Sequence, residues 1–304
     1  RDRIIAVNPD IIIGIGGGST MDIAKLAAIT VKTGEDSRDI AKSGIINGKG
    51  LPVILVPTTA GTGSEVTHIC IFSDNTNQVK TGIVNSNLYA DIAIIDPEIT
   101  LGLPPTITAF SGIDALIHAL ESLISNSATT FSTLLAEEAL KIIYNNIVSA
   151  FENGKDIESR SNMLYGSMLA GIAFANSSVA AIHAFAYPIG AKFHIPHGLA
   201  NAIMLMPVLK FNLKAGVEKF SGVARALGIE SKGMTEHEIA EQIISKLDRL
   251  IDRLEINRKL RNYGVSKSDV PQLAASVIKI TRLLSNNPRE ISLKDAEKLY
   301  FEAL

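Results

Sequence analysis

The stretch Ile-Ile-Ile-Gly-Ile-Gly-Gly-Gly-Ser at residues 11–19 decides the fold of the first third of this chain. A short, continuously apolar run is typical of a parallel strand buried on both faces, and the glycines end it. Ser19 and Asp22 then form a Ser-x-x-Asp capping pattern ahead of an apolar helical repeat. The sequence therefore predicts a strand, a glycine turn and a helix, which is the repeating unit of an α/β fold.

The pattern of apolar residues divides the chain near residue 100. Short apolar runs continue to about residue 95, whereas after Pro97 apolar residues recur at three and four spacing in long stretches. The predicted strands are 11–15, 53–56, 69–72, 83–84 and 92–95, and the predicted helices include 106–124, 129–151, 157–175, 200–209, 236–254, 268–283 and 292–303. We predict a parallel-sheet, Rossmann-like α/β domain over residues 1–100 and an all-α domain over residues 101–304.

Composition excludes several classes of partner. The net charge is −2, from 29 Lys+Arg against 31 Asp+Glu, and Trp is absent, so nothing indicates nucleic acid. No apolar run approaches the roughly 20 residues of a membrane helix. A single cysteine, Cys70, cannot form an internal disulfide. We expect a cytoplasmic protein that binds no membrane. Because the chain enters a strand within about ten residues of Arg1, we also expect a preceding segment in the full protein, which would leave this α/β domain incomplete.

Two loops that follow predicted strands carry groups suited to phosphate. Glycines let the backbone approach a pyrophosphate, and the free N–H groups of a helix start attract its charge. Glycine in such a turn can also serve steric needs alone, and Ser/Thr clusters are ordinary loop composition. Together the loops favour a dinucleotide, and the residues assigned to it are Gly17, Gly18, Ser19, Asp22, Thr58, Thr59, Thr62 and Ser64.

Acidic and histidine side chains cluster in the helical part. Asp114 and His118 are four residues apart in a helical pattern, so both project from one face, as two ligands of one metal would. His183, His194 and His197 lie in an apolar stretch, where an imidazole needs a partner. A surface Asp/His pair and hydrogen-bonded core histidines are the alternative interpretations.

Four motifs in order carry a family resemblance. Residues 96–121, including Asp114 and Glu121, resemble the first signature of the iron-containing (group III) alcohol dehydrogenases, and residues 183–201 resemble the second. Residues 16–22 and 57–67 resemble the family's phosphate and nicotinamide loops, and residues 287–289 its C-terminal element. The resemblance spans nearly the whole chain. It implies a dehydroquinate synthase-like architecture and hydride transfer between a nicotinamide and a small alcohol or carbonyl compound.

The resemblance also assigns residues. It implies that a divalent metal is bound by four side chains, Asp114, His118, His183 and His197. Iron is the family's metal, although these ligands would also suit Zn²⁺. Lys80 matches a position that lines the cofactor, which is NAD or NADP. Tyr187 stands where many members carry a proton-relay histidine, so it is expected in the catalytic pocket as a hydrogen-bond donor. A homodimer or higher oligomer is expected.

Three other functions remain open at this point. Glycerol dehydrogenase-like and dehydroquinate synthase-like enzymes would share the architecture. The second kind would need a basic cluster to hold a phosphorylated acid, and near the predicted ligands the sequence offers only Lys192. The third alternative is a truncated, non-catalytic homologue.

Overall fold

The computed structural model describes the backbone of residues 2–74 and 79–304, with side chains except those of residues 72–81. The strands are β1 (Ile12–Gly16), β2 (Val53–Pro57), β3 (Ile69–Asp74), β4 (Val79–Val84) and β5 (Ile92–Ala93). The α-helices up to the site are α1 (Asp2–Val7), α2 (Gly18–Thr33), α3 (Ser37–Ser43), α4 (Pro105–Ile124), α5 (Thr130–Glu152), α6 (Ile157–Ser177), α7 (Ala181–Phe193) and α8 (His197–Asn212). The remaining ones are α9 (Ser221–Ala226), α10 (Glu236–Arg253), α11 (Val270–Val277), α12 (Thr281–Leu284) and α13 (Leu293–Ala303).

The strands form two sheets. β1, β2 and β5 pair in parallel, with Ile12 opposite Val53 and Ile54 opposite Ile92. β3 and β4 form a separate antiparallel pair. Residues 94–304, all of which the structure describes, contain helices and no strand. The predicted fold class, a parallel sheet followed by a helical part, is confirmed. A domain boundary near residue 100 stays a prediction.

Helix α2 begins at the glycine turn, but not by the predicted cap. Its N-cap is Gly17, and no side chain of the described residues caps it. Asp22 accepts instead from Ser64 Oγ at 2.6 Å and from the Ile71 N–H at 2.9 Å. A carboxylate that is already engaged by another loop cannot turn back to the helix start, so the Ser-x-x-Asp cap is wrong. The cap predicted at Ser292 and Asp295 does form at the start of α13.

One face of the parallel sheet is covered and the other is exposed. Helix α2 packs Met21, Ala24 and Ala28 against Val53 and Leu55. On the opposite face Ile13 and Ile15 are more than half exposed. The expectation of a β1 strand buried on both faces is therefore wrong for this chain. The physical reason is that helices cover only one side of the sheet here, and α1 buries none of its side chains.

Helix α4 is the centre of the helical part. It packs against α5, α6 and α8, and fifteen of its residues are buried. By length and hydropathy α4 would pass for a membrane span, but 83% of its most apolar window is buried inside the protein. It is the core helix on which the other helices assemble.

One helix prediction is wrong. The single helix expected over residues 268–283 is split into α11 and α12.

Candidate functional site

Helix α4 presents three ionisable side chains in a largely apolar core. Asp114, His118 and Glu121 are separated by four and three residues and so share one face of the helix. All three are buried, Glu121 completely. Buried groups of this kind require partners, and these partners come from α7, α8 and the loop after β2.

Helices α7 and α8 bring two histidines to Asp114. The chain bends by 104° between α6 and α7, which turns the first residues of α7 toward α4. The Nε2 atom of His183 lies 3.7 Å from Asp114 Oδ1, and that of His197 lies 3.8 Å from the same oxygen. The ligand atoms of these three residues all lie within 4.8 Å of one another, close enough to share one cation.

His118, the fourth predicted ligand, lies beside this set. Its ring stacks between His183, with centroids 4.6 Å apart, and Phe174, with centroids 4.4 Å apart. Its Nδ1 is 3.1 Å from the carbonyl oxygen of Gly61. A carbonyl can only accept, so Nδ1 carries the proton and Nε2 keeps its lone pair for a ligand. The structure thus brings three predicted ligands together and places the fourth in ring contact with one of them.

Glu121 was not assigned a role from the sequence. Its carboxylate is 2.7 Å from His183 Nδ1 and accepts from the backbone N–H groups of Ala180 at 2.9 Å and Ile182 at 2.6 Å. Burial raises the pKa of Glu121 to about 7, although these hydrogen bonds oppose the effect. A fully buried Glu at i+7 from Asp114 on an apolar helix was the signal that could have identified it.

The residues fit a divalent cation. His183 Nε2 has no hydrogen-bond partner among the described residues, and its lone pair faces the Asp114 carboxylate. Burial, followed by the neighbouring charge of His118, holds the pKa of His183 well below its usual value, so the ring is neutral. Burial alone would raise the pKa of Asp114, but the three imidazoles and the Asn201 amide lower it. A carboxylate oxygen and imidazole nitrogens form a donor set suited to Fe²⁺ or Zn²⁺.

Tyr187 and His194 differ in their relation to this centre. The Tyr187 ring lies 5.8 Å from that of His197, and burial raises its pKa to about 12. It is therefore a hydrogen-bond donor at neutral pH and a poor base. His194 is exposed at the end of α7, in a left-handed backbone conformation with φ 55°.

The two predicted cofactor loops face each other. A Cβ placed on Gly18 would meet the Thr62 side chain at 2.7 Å, and one on Gly17 would lie 3.6 Å from Thr59 Oγ1. The Thr58 N–H donates to the Gly16 carbonyl at 3.0 Å. Ser19, at the start of α2, is exposed. These groups lie together at the carboxyl ends of β1 and β2.

Two of the residues assigned to the cofactor have another placement, and a third lies outside the described side chains. The side chains of Asp22 and Ser64 are buried and bonded to each other, so they stabilise the loop from inside and offer no free group to a ligand. The side chain of Lys80 lies outside the described residues, and its assignment stays a prediction.

Lys25 anchors this second loop and was missed by sequence reasoning. Its Nζ donates to the carbonyls of Ser64 at 2.8 Å and Ile69 at 2.7 Å, and lies 3.3 Å from Asp22 Oδ1. Burial lowers its pKa, and Asp22 opposes the effect. Because Gly61 in the same loop accepts from His118, the loop physically joins the glycine turn to the histidine cluster.

Glu65, which follows in this loop, makes the stability dependent on pH. Burial raises its pKa from 4.5 to about 7, so the folded protein holds this proton more tightly than the unfolded chain does. The resulting stabilisation, on the order of 3 kcal/mol, is complete below about pH 4.5 and is lost as the pH rises through 7. Glu65→Gln should remove this loss, and urea unfolding of both proteins from pH 4.5 to 8 measures it. Parallel pH profiles for the two proteins would contradict the assignment.

Comparison with known proteins identifies the family. The description "Fe-containing alcohol dehydrogenase family, C-terminal" matches residues 108–304, and "Iron-containing alcohol dehydrogenase" matches residues 2–97. Long-chain-alcohol dehydrogenase 1 of Geobacillus thermodenitrificans is 38% identical over 294 residues, which cover 96% of this chain and 74% of that protein. Sulfoacetaldehyde reductase of Bilophila wadsworthia is 39% identical over 96% of this chain and 76% of its own length.

A solved structure agrees with these sequence matches. The crystal structure of a 1,3-propanediol oxidoreductase superimposes with a TM-score of 0.96 at 33% identity, over 100% of this chain and 79% of that one. Profile matches over both parts of the chain and this structural agreement lead to one conclusion: the chain belongs to the iron-containing alcohol dehydrogenase family of oxidoreductases.

Proposed function

We propose that this metal-dependent alcohol dehydrogenase interconverts small primary alcohols and aldehydes with NAD or NADP, at a metal held by Asp114, His118, His183 and His197. The observation that carries the proposal is the convergence of the Asp114, His183 and His197 ligand atoms within 4.8 Å. Among the described residues His183 Nε2 has no hydrogen-bond partner, and its place beside a carboxylate supports the proposal further, because a cation between the two groups would satisfy both.

The metal, when bound, would supply Lewis-acid polarisation of the substrate oxygen. The chain supplies the rest of the environment. Asp114 provides the negative charge, and Asn201 orients it by donating to Oδ1 at 2.6 Å. His118 and His183 are each held in the Nδ1–H tautomer, which leaves both Nε2 atoms unprotonated. The nicotinamide, when bound, would accept hydride from the alcohol carbon, and the alcohol would lose one proton to solvent.

The cofactor would lie across the two facing loops. The amide groups at the start of α2 suit the pyrophosphate, and the lack of side chains at Gly17 and Gly18 lets the loop with Thr59 and Thr62 lie close to them. Thr58, Thr59 and Thr62 offer hydroxyl and backbone groups from that adjacent loop. Tyr187 supports substrate orientation as a donor, since a phenol with a pKa of about 12 does not take up protons at neutral pH.

The substrate class follows from the relatives. Three relatives of this chain are named for long-chain alcohols, sulfoacetaldehyde and 1,3-propanediol, all of which react at a terminal carbon. The chemistry they share is therefore a primary alcohol and its aldehyde. The lyase alternative loses support because Lys192, the cation that the sequence offers for it, is hydrogen-bonded to Asp269 and Gln272.

We also propose a cytoplasmic homodimer or higher oligomer with two domains that divide near residue 100. The thiol of Cys70 is free and buried, and nothing in its setting calls for an oxidising compartment. The half-exposed isoleucines of β1 are consistent with further protein packing on that face.

Metal removal tests the proposal directly. After dialysis against a chelator, turnover of a panel of primary alcohols should fall to background, because a hydrogen bond from Tyr187 polarises the substrate oxygen far less than a bound cation does. Added Fe²⁺ should restore it, and a parallel arm with Zn²⁺ identifies the preferred metal. The readout is formation of the reduced nicotinamide with NAD and, separately, NADP. Full turnover by metal-free protein would contradict the proposed function.

A further inference from the structure

We infer that Glu121 is the positioning residue of the metal centre: its carboxylate sets the tautomer and direction of His183 and fixes the start of α7 against α4. The inference rests on the proposed function, because it assigns a role within the same metal site. It concerns a residue that would touch neither metal nor substrate.

The hydrogen bonds around Glu121 suit a side chain that accepts hydrogen bonds and donates none. Its Oε2 accepts a hydrogen bond from the Ala180 N–H and lies 2.7 Å from His183 Nδ1. Its Oε1 accepts a hydrogen bond from the Ile182 N–H. The two backbone groups can only donate. In its ionised form the carboxylate satisfies all three partners, and it then fixes the proton of His183 on Nδ1. Nε2 is then unprotonated and directed to the side of Asp114.

An amide at position 121 cannot reproduce this pattern. Glutamine has the same shape but presents one oxygen and one NH₂ group. Whichever way the amide turns, at least one buried donor faces another donor. The imidazole of His183 can avoid a contact between two donors by moving its proton from Nδ1 to Nε2. That change removes the Nε2 lone pair that a metal would need.

The position of Glu121 in the fold explains why this contact matters. The chain breaks between α6 and α7 with a 104° bend, and His183 is the third residue of α7. The two N–H groups that Glu121 receives belong to Ala180 and Ile182, on either side of the first residue of that helix. Glu121 therefore ties the beginning of α7 to the helix that carries Asp114 and His118, and it sets the distance between ligands from different helices.

Groups that orient metal-bound histidines typically change metal affinity by about 10- to 100-fold when replaced. We expect Glu121→Gln to weaken Co²⁺ binding by this factor and to alter the visible absorption of the bound Co²⁺. The measurement is a Co²⁺ titration of the metal-free protein followed by absorbance. The matched control is Glu65→Gln, which removes another buried carboxyl away from the metal site and should bind Co²⁺ like the wild type.

The titration also separates this inference from the proposed function. His183→Ala should lose Co²⁺ binding at this centre, and if it binds like the wild type, the metal site itself is wrong. If His183→Ala loses binding while Glu121→Gln matches the wild type, only the role of Glu121 is overturned.

A measurement on the wild type covers the case in which Glu121→Gln does not fold. Nitrogen-15 NMR of histidine-labelled, metal-free protein, with His183 assigned from the His183→Ala spectrum, reports which ring nitrogen carries the proton. A protonated Nδ1 with a strongly hydrogen-bonded proton supports the inference. A proton on Nε2 overturns it.

Discussion

Replacing His183 or His197 with alanine should reduce turnover by at least about a thousandfold while leaving binding of the dinucleotide nearly unchanged. A free alcohol has a pKa near that of water, about 16, whereas coordination can bring a bound hydroxyl toward about 7. Loss of only half of that effect already exceeds the roughly 4 kcal/mol that a thousandfold decrease represents. Cofactor binding is spared because the glycine turn follows β1 and the loop at residues 58–62 follows β2. The two histidines lie on α7 and α8, in the helical part of the chain. Steady-state kinetics and nicotinamide fluorescence measure the two quantities.

Two control variants make this result specific. Tyr187→Phe should slow the reaction by no more than about tenfold, because it removes one hydrogen-bond donor and leaves the metal ligands in place. His237→Ala removes an exposed histidine paired with Glu241 and should have no effect. If Tyr187→Phe were inactive and His197→Ala active, hydride transfer would not depend on the metal, and the mechanism would have to be abandoned.

Gly198→Ala should both destabilise the protein and abolish metal binding. Gly198 follows His197 at the start of α8, and a Cβ there would overlap the backbone carbonyl of Phe110 on α4. The backbone of Phe110 cannot rotate away from the clash as a side chain can. Helix α8 must therefore shift away from α4, and this shift moves His197 away from Asp114. Overpacking of this kind costs about 1–3 kcal/mol. Thermal unfolding and metal titration should report both losses.

Gly102→Ala is the matched control for this variant. A Cβ on Gly102 would meet no described atom within 4 Å, and its backbone does not require glycine. Its unfolding temperature and metal affinity should equal those of the wild type. A Gly198→Ala protein that binds metal normally would show that α8 can move without displacing His197, against the geometry described above.

The fold could be predicted where a pattern is local. The apolar run and glycines of residues 11–18 specified β1 and the start of α2, and the three and four spacing specified α4 to α6. The failures depended on distant residues. Asp22 does not cap α2 because its carboxylate accepts a hydrogen bond from Ser64, which is 42 positions away in the sequence. The exposure of Ile13 depends on which helices cover the sheet. The sequence of the strand alone does not predict that packing.

The site shows the same division. The spacing of Asp114 and His118 was readable, since one helix fixes it, and the family resemblance supplied His183 and His197. Lys25, Glu121 and Gly61 were missed because their roles come from long-range contacts: Lys25 with carbonyls 39 to 44 residues away, and Gly61 with His118 across 57 residues. A backbone carbonyl in particular leaves no trace in the amino-acid sequence.

Asp114, His118 and Glu121 all lie on helix α4. The number of residues between them therefore determines the geometry of the metal site as much as the identity of the residues does. Inserting or deleting one residue between positions 114 and 121 would turn the downstream side chains by about 100° around the helix axis. Such a change would leave α4 helical and apolar and still disperse the ligands. The exposed segment 230–233 carries no such constraint. Among distant homologues, an alignment without gaps across these roughly two turns of helix is therefore a criterion for those that retain a metal.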